Sequence, residues 1–519
     1  MQSSSVLLLA FLGVGKSWLR EDKRPDLCQM TFLGPEADRR FPYEKSLKRT
    51  FTQRKFAAGF GPILTLVQSA ANVGLDPRPY GVSQVVRGFR ASIHPLIYGM
   101  GSMIHLAVGR LEIDWGQNFG FQDHSALFQG EKDIANIPYY YAGNQVGIDF
   151  ESDTIWEPIV ELKEGLTKPL PLVIDRINLL GHTFDQCEKE FLFRAQFNDF
   201  DPDRFTFSQL RDALAKVDVT ALSADYGDGG QDFGKFFRRE LAPRLGLDAL
   251  AKDDFETYHR ISEAMENMSA YTVLHLLARN PHAASLPVQW SFNDIDTGGY
   301  ARREDFVRLL DPSARFLIVT EGSSDAKIIQ HALNLLRPHV ADFFSFVDME
   351  EGYPFSGTGN MFRFVQGLIG IAVQNKILVL FDNDAEGLAN HGRCAALSVP
   401  TNMRILALPD LPDFTTFRTL GPDGEHTGDI NGRAAAIECY LDLGDKARVQ
   451  WTNFNRATAS YQGELEGKTR YMRKFLEQRE RKSGYDYTRI EQVLDVLIGG
   501  AVSIAATEVA EEWQRHLEY

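Results

Sequence analysis

Two short acidic stretches carry the residues best suited to chemistry. One reads "RFLIVTEGSSD" and places Glu321 after an apolar run, with Asp325 four residues on. The other reads "KILVLFDNDAEG" and places Asp382 at the end of an apolar run, with Asp384 two positions later. In an open parallel sheet, ligands bind beyond the carboxyl ends of the strands. If the two runs are neighbouring strands, all four acids project into one crevice, where they repel unless a cation sits among them. An oxygen-only set of this kind suits Mg²⁺ or Mn²⁺. Gly322 and Gly387 fit positions where the backbone turns tightly beside the site. A single Asp at a strand end is commonly a helix N-cap, and Asp325 could simply favour the dipole of its own helix. The combination of E-G-x-x-D with D-x-D-x-x-G about sixty residues later is what points to a metal.

The elements that must position these acids follow from periodicity. From residue 315 short apolar runs alternate with helical patterns, the signature of a parallel sheet with crossover helices. "RFLIVTEG", "DFFSFVDM", "KILVLFDND" and "NMRILALPD" read as strands. "DAKIIQHALNLLRP" reads as a helix, with Ile328, Ile329, Ala332, Leu333 and Leu336 on one face. A Gly-rich turn, "SGTGN", precedes the helix "MFRFVQGLIGIAV", and "AEGLANHGRCAALSV" supplies the next. Residues 436–519 read mostly as helices. Upstream, "MIHLAVGRLEIDWGQN" alternates like an amphipathic strand, and residues 100–312 read as a mixed α/β piece with a helical second half.

With 519 residues the chain suggests two to four domains. Cys28, Cys187, Cys394 and Cys439 lie far apart without a CxxC pair, against a zinc site or disulfide framework and in keeping with a reducing cytoplasm. The N-terminal "SSSVLLLAFLGVG" lacks the basic start and cleavage site of a signal peptide. No uninterrupted apolar run reaches the roughly 18 residues that span a bilayer, so no membrane partner is expected. Net charge is −15, a poor basis for indiscriminate nucleic-acid binding. Residues 1–99 hold 14 Lys and Arg against 7 Asp and Glu, a balance of +7, so the remainder carries −22. That break marks the first 99 residues as a separate extension.

The pair "TEGSSD" and "FDNDAEG" resembles the Toprim domain of topoisomerases, bacterial primases, OLD-family nucleases and small ribonucleases. The resemblance covers about residues 314–442. It implies that Glu321, Asp382 and Asp384 are catalytic and hold Mg²⁺ (or Mn²⁺), with Asp325 as an additional acid. "SGTGN" and "GDINGRAAAIECYLDL" look most like the OLD-type branch, which implies that Glu438 completes a second metal site; inside an amphipathic helix such a Glu is usually just solvated. "MGSMIHLAVGRLEIDWGQNFGFQDHSALFQ" is similar to the HEPN/Toprim N-terminal domain, found fused to Toprim or HEPN ribonuclease domains in bacterial proteins. Phage defence is an implication of that likeness, as is a natural start at Met100 or Met103.

Hydrolysis of a phosphodiester in DNA or RNA is the simplest reaction these residues support. No tyrosine motif points to a strand-passing topoisomerase, and no zinc or helicase-binding module accompanies a primase reading. A non-hydrolytic metal-dependent binding or sensor module and a primase-like nucleotidyl transferase are the alternatives. Residues 456–489 carry nine Lys and Arg against five Asp and Glu, interleaved with Tyr461, Tyr471, Phe475, Tyr485 and Tyr487. Lys468, Arg470, Arg473 and Lys474 could grip phosphates there while aromatics stack bases; an amphipathic helix laced with ion pairs fits equally. "AFLGVGKS" at residues 10–17 matches a permissive P-loop without the flanking strand and partner acid it needs. Arg87 and His94 have the spacing of a HEPN ribonuclease pair but no recognisable bundle. "NDIDTGGYARRED" departs from a calcium loop at Gly298 and Asp305, and His259 and His275 read as core or surface histidines.

The expectation is an α/β protein: an extension over 1–99, a mixed α/β domain over 100–312, a Toprim-like catalytic domain over 313–442 and a helical region over 443–519. It would act in the cytoplasm on nucleic acid, and the sequence leaves room for a homo-oligomer.

Overall fold

A computed structural model describes residues 102–141, 159–222, 233–347, 358–455 and 460–517. The extension over 1–99 with its P-loop-like stretch, the Arg87–His94 pair, Met100, and Ser356 and Gly357 of the "SGTGN" turn lie outside the described residues.

The first module is built on an antiparallel sheet. Strands β1 (Met103–Val108) and β2 (Leu111–Gln117) pair through a tight turn at Gly109, whose φ of +61° favours glycine. Alternation buries Ile104, Leu106 and Val108, as the sequence pattern requires. Strands β3 (Ile134–Tyr141) and β4 (Ile159–Pro169) follow. The chain then leaves the sheet for an α-helical excursion whose principal members are α1 (Leu170–Leu179), α2 (Phe184–Phe197), α3 (Phe207–Leu214), α4 (Phe255–Glu266) and α5 (Ala270–Leu277). It returns as β5 (Pro287–Ser291), which inserts between β1 and β4 to give the order β2-β1-β5-β4-β3. One continuous core, rich in phenylalanine, fills the space between this sheet and the helices.

The second module has the expected βα alternation. Strand β6 (Phe316–Thr320), helix α6 (Ser323–Leu336), strand β7 (Phe344–Phe346), helix α7 (Thr358–Gly370) and strand β8 (Lys376–Phe381) come first. A two-residue strand β9 (Asn383–Asp384), helix α8 (Ala385–Ala395) and strand β10 (Met403–Ala407) follow. The sheet β10-β8-β6-β7 is parallel throughout, with Thr320 beside Leu380. Strand β8 is buried on both faces: Leu378 and Leu380 join one core, Ile377, Val379 and Phe381 the other. The fold class is therefore α/β, as expected.

Beyond β10 come β11 (Phe417–Gly421), β12 (Gly424–Gly428) and β13 (Ala434–Ala435), then β14 (Val449–Asn455) and β15 (Ser460–Leu465). Helices α9 (Lys468–Leu476) and α10 (Thr488–Leu517) complete the described chain. The region expected to be helical from residue 443 thus opens as a β-hairpin. β14 joins β11 in the sheet β12-β11-β14-β15. The physical reason is alternation: Val449, Trp451 and Leu465 turn inward, a period-2 pattern that basic residues further on obscured.

Helix α10 also revises the reading of apolar runs. Over Thr488–Trp513 it is long and apolar enough to cross a membrane by length and composition. Acids at Glu491 and Asp495 interrupt the run, so a count of consecutive apolar residues passes over it. Its Ile490, Val493, Leu494, Leu497, Ala501, Ile504 and Ala505 are buried in the core against the parallel sheet, where Gly500 admits Leu406 and Leu378. That is the packing of a core helix.

One side chain rivets the two modules. Arg176 on α1 is wholly buried and donates to the carbonyls of Ala126, Phe128 and His339 and to both carboxylate oxygens of Asp342. Its guanidinium lies 4.7 Å from the Phe343 ring centroid. Nearby, His339 Nε2 meets Asp175 Oδ2 at 2.7 Å.

Candidate functional site

The site grows from the carboxyl ends of β6 and β8. Because these strands are neighbours in register, Glu321 and Asp382 emerge side by side. The Asp382 backbone N–H donates to Glu321 Oε1 at 3.0 Å. In the extended stretch that follows, residues two apart share a face, so Asp382 and Asp384 point together while Asn383 points away. Asn383 is buried and locked: Nδ2 donates to Asp410 Oδ1 at 2.8 Å, and Oδ1 accepts from the Gly432 N–H at 2.8 Å. Strand β9 pairs with β13, placing Asp384 opposite Ala434. The chain then turns through a 3₁₀ segment, Ile437–Tyr440, whose first N–H donates to Asp382 Oδ1 at 3.1 Å and whose second residue is Glu438.

Glu438 is thereby brought to the cluster that the sequence could only suggest. It does not sit in an amphipathic helix, and it is not solvated: on this 3₁₀ turn it is only 6% exposed.

The cap readings and the cluster reading hold together. Asp384 is the N-cap of α8: its Oδ1 accepts from the Glu386 and Gly387 N–H groups at 3.0 and 2.7 Å. Asp325 caps α6, with Oδ2 accepting from the Gly322 N–H at 3.0 Å and Oδ1 from Ser324 Oγ at 3.2 Å. These bonds take one acceptor position on each oxygen of Asp325. Among the described residues, no protein donor engages Glu321 Oε2, Asp382 Oδ2 or Asp384 Oδ2, while the Glu438 carboxylate accepts from its own backbone N–H.

Gly387 earns its place in the motif. A Cβ there would collide with the Asp382 carbonyl oxygen and come within 2.9 Å of Glu321 Oε1. Gly322 does not behave as expected. Its φ is −143°, and a Cβ would find its nearest atom at 3.6 Å, so no tight turn demands glycine there.

Electrostatics mark these acids as a set. Burial pushes the Glu321 carboxyl up to about 8, with the charges of Asp384 and Asp325 adding to the effect. Burial likewise raises Asp325, with Glu438 next among the causes, and raises Asp382 well above the usual carboxylate range, with Asp325, Glu321, Asp384 and Glu438 all contributing. Asp384 and Glu438 are raised as well, chiefly by burial. The nearby cation is Lys468, bonded to Glu464 Oε1 at 2.7 Å and favoured further by the fields of Glu438 and Asp382.

Among the described residues no three Asp, Glu, His or Cys side chains stand close enough to hold an ion as they are. The donor set suits a hard divalent cation, since it is all oxygen, unneutralised and provided with free lone pairs. Its resting arrangement is not a closed cage.

The predicted nucleic-acid grip is only partly available. Lys468 is paired with Glu464 and Lys474 with Asp442, each at 2.7 Å, while Arg470 and Arg473 are exposed. Tyr471, Phe475, Tyr485 and Tyr487 are buried, so they pack the core rather than stack bases; Tyr461 alone of that group is exposed. Helix periodicity placed the two rings of α9 inward, which the basic composition had masked. The calcium-loop-like stretch forms a short helix, Asn293–Thr297, in which Asp294 accepts from Tyr141 and Lys163. His275 is a core histidine bonded to the His182 carbonyl.

Two residues were not anticipated. Asn383 could have been found from its position between two acids in an extended stretch, which forces it inward. Arg433 is exposed, bridges to Asp384 through the backbone, and has no acidic partner among the described residues; no sequence signal singled it out.

Residues 100–313 match the family model HEPN/Toprim N-terminal domain 1. The match begins just before β1 and ends just before β6, so it covers the first module and supports that family for this part of the chain. The family's name links the domain to a nuclease-related setting, while the acid-bearing module lies outside the match. No curated protein and no solved structure matches the chain.

Proposed function

We propose that the chain is a metal-dependent nuclease of the Toprim type that hydrolyses phosphodiester bonds in DNA or RNA. The observation that supports this best is the gathering of Glu321, Asp382, Asp384 and Glu438, from two parallel strand ends and a 3₁₀ turn, with the second oxygens of Glu321, Asp382 and Asp384 free of protein donors. Buried like charges are costly and persist where a site uses them.

Asp382, Asp384 and Glu321 would hold Mg²⁺ or Mn²⁺ after side-chain rotation, with Glu438 toward a second position. The ion would neutralise the phosphate and lower the pKa of the attacking water. Glu321 is oriented by the Asp382 N–H and keeps Oε2 free, a position from which it takes or gives a proton at the reacting group. Asn383 and Gly387 position the carboxylates, the first by anchoring β9 from below and the second by letting α8 start against them. Arg433 and Arg470 offer charge to the substrate phosphates.

The full chain incubated with single- and double-stranded DNA and RNA, with and without Mg²⁺ or Mn²⁺, tests this reading. Metal-dependent cleavage lost on Asp382→Asn with Asp384→Asn supports it. Cleavage that survives the pair overturns the site, binding without cleavage favours a sensor module, and nucleotide incorporation on a template reveals a transferase. The OLD-like branch, action in phage defence and a cytoplasmic setting remain parts of this proposal that the same reaction would frame.

A further inference from the structure

The inward face of the β14–β15 hairpin is an apolar stripe that runs out of the core. Val449 and Leu465 face each other at its buried end, followed by Trp451 opposite Gly463 and Phe454 opposite Tyr461. The register slips at Thr452, a bulge that keeps Phe454 on the same face as Trp451 despite the odd spacing. Without that extra residue Phe454 would point to the other side. Trp451 lies over two glycines of the adjoining strands, with the positions a Cβ would take at Gly421 and Gly428 lying 3.6 and 3.7 Å from its ring. Beyond it, Phe454 and Tyr461 are 51% and 52% exposed, their ring centroids 5.2 Å apart at an interplanar angle of 71°.

This stripe is continuous with the acidic site. A Cβ at Gly463 would lie 3.1 Å from that of Ala434, and Ala434 is the residue paired with Asp384. Tyr461 lies two residues beyond Gly463, about 7 Å along the strand. Exposed aromatics at the outer end of a hairpin that packs on β13, the strand paired with the acid-bearing β9, are placed to meet the same polymer that enters the site. Of the residue types that could fill such a place, aromatic rings are those that stack on bases of any sequence.

We infer that Phe454 and Tyr461, on the floor of Trp451, form a stacking platform for unpaired bases, and that the substrate is a single-stranded segment of nucleic acid. This deepens the nuclease reading and rests on it. A duplex keeps its bases stacked on one another and offers no free face to the rings, so the platform discriminates strand state and not sequence. Arg433, bridged to Asp384 through the backbone and exposed, would receive a backbone phosphate.

The test uses the full chain carrying Asp382→Asn and Asp384→Asn, so that nothing is hydrolysed, and labelled oligo-dT, oligo-rU and duplex of about 12 nucleotides. Single strands are expected to bind more tightly than duplex and to quench Trp451. Phe454→Ala with Tyr461→Ala should weaken single-strand binding tenfold or more at unchanged melting temperature, while Phe454→Trp with Tyr461→Trp restores it. Equal binding by the alanine pair and its parent overturns the platform, as does equal affinity for duplex or no oligonucleotide binding at all. A change in sedimentation without a change in oligonucleotide binding overturns it in favour of a protein interface. A chain that needs the rings for binding yet cleaves nothing in Mg²⁺ or Mn²⁺ sinks the nuclease reading alone. A chain that cleaves single strands and ignores the two alanines sinks the platform alone.

Discussion

The two modules treat buried charge in opposite ways. In the first, ionised groups that leave water meet their opposites or a full set of donors. Lys168 reaches Asp133 at 2.9 Å, and Glu190 accepts from the Ser269 N–H, Ser269 Oγ and Thr272 Oγ1. Arg176 spends its donors on three carbonyls and one carboxylate. In the second module, burial raises Glu321, Asp325, Asp382, Asp384 and Glu438, and Asp382 is raised further by the other four, with Lys468 nearby. Charge matched by charge is architecture. Acids gathered without matching cations at aligned strand ends are what the proposed metal site would use.

Substitutions at the two places should therefore move stability in opposite directions. The largest effect is expected from Asp382→Asn with Asp384→Asn: metal-dependent cleavage should fall by about a thousandfold or more. The metal-free protein should at the same time melt higher than its parent, because repulsion is relieved while asparagine still caps α8. A lower melting temperature would break the comparison. Arg176→Met is the counterpart. It strands Asp342 and three carbonyls and should cost about 3–5 kcal/mol in denaturant unfolding.

A smaller effect separates the two motif glycines. Gly387→Ala forces α8 away from Asp382 and should cost about 1–3 kcal/mol together with activity, whereas Gly322→Ala should stay within about 0.5 kcal/mol. Equal costs would mean that the crowding at Gly387 is not what positions the acids.

The smallest effect concerns pH. The Glu321 carboxyl is raised to about 8 in the folded chain from an ordinary 4.5, and its neighbours are raised too. Their contribution to stability is full below the ordinary value and is lost as pH climbs through the folded one. Without divalent ions the melting temperature should therefore rise, by about a few degrees, as pH falls from 8 toward 5. Mn²⁺ should raise it at pH 8 and flatten the curve. A profile indifferent to Mn²⁺ would argue that the acids do not share an ion.

Much of the second module was legible in the sequence. Consecutive apolar residues bounded by acids and glycines, as in "KILVLFDNDAEG", specify a strand buried on both faces, and that pattern located β6, β8 and β10 with their terminal acids. Two kinds of feature escaped. The place of Glu438 depends on a 3₁₀ turn whose geometry is set by the pairing of Ala434 with Asp384, a long-range contact that no local pattern encodes. The β14–β15 hairpin hid because its bulge breaks the period of two at Thr452 and because charged neighbours suggested helix. In α9 the rings of Tyr471 and Phe475 follow helical spacing into the core, so composition alone misread them as a surface.

The position of β5 bears on how this chain is made. The central strand of the first sheet is contributed by residues 287–291, after the whole helical excursion. A nascent chain emerging from the ribosome cannot zip β1 to β4 until that late segment arrives, and by then synthesis is within about 25 residues of Phe316, the start of β6. The first sheet thus closes only as the second module begins to emerge, and a fragment cut short of residue 287 should emerge as an aggregating sheet with its middle missing.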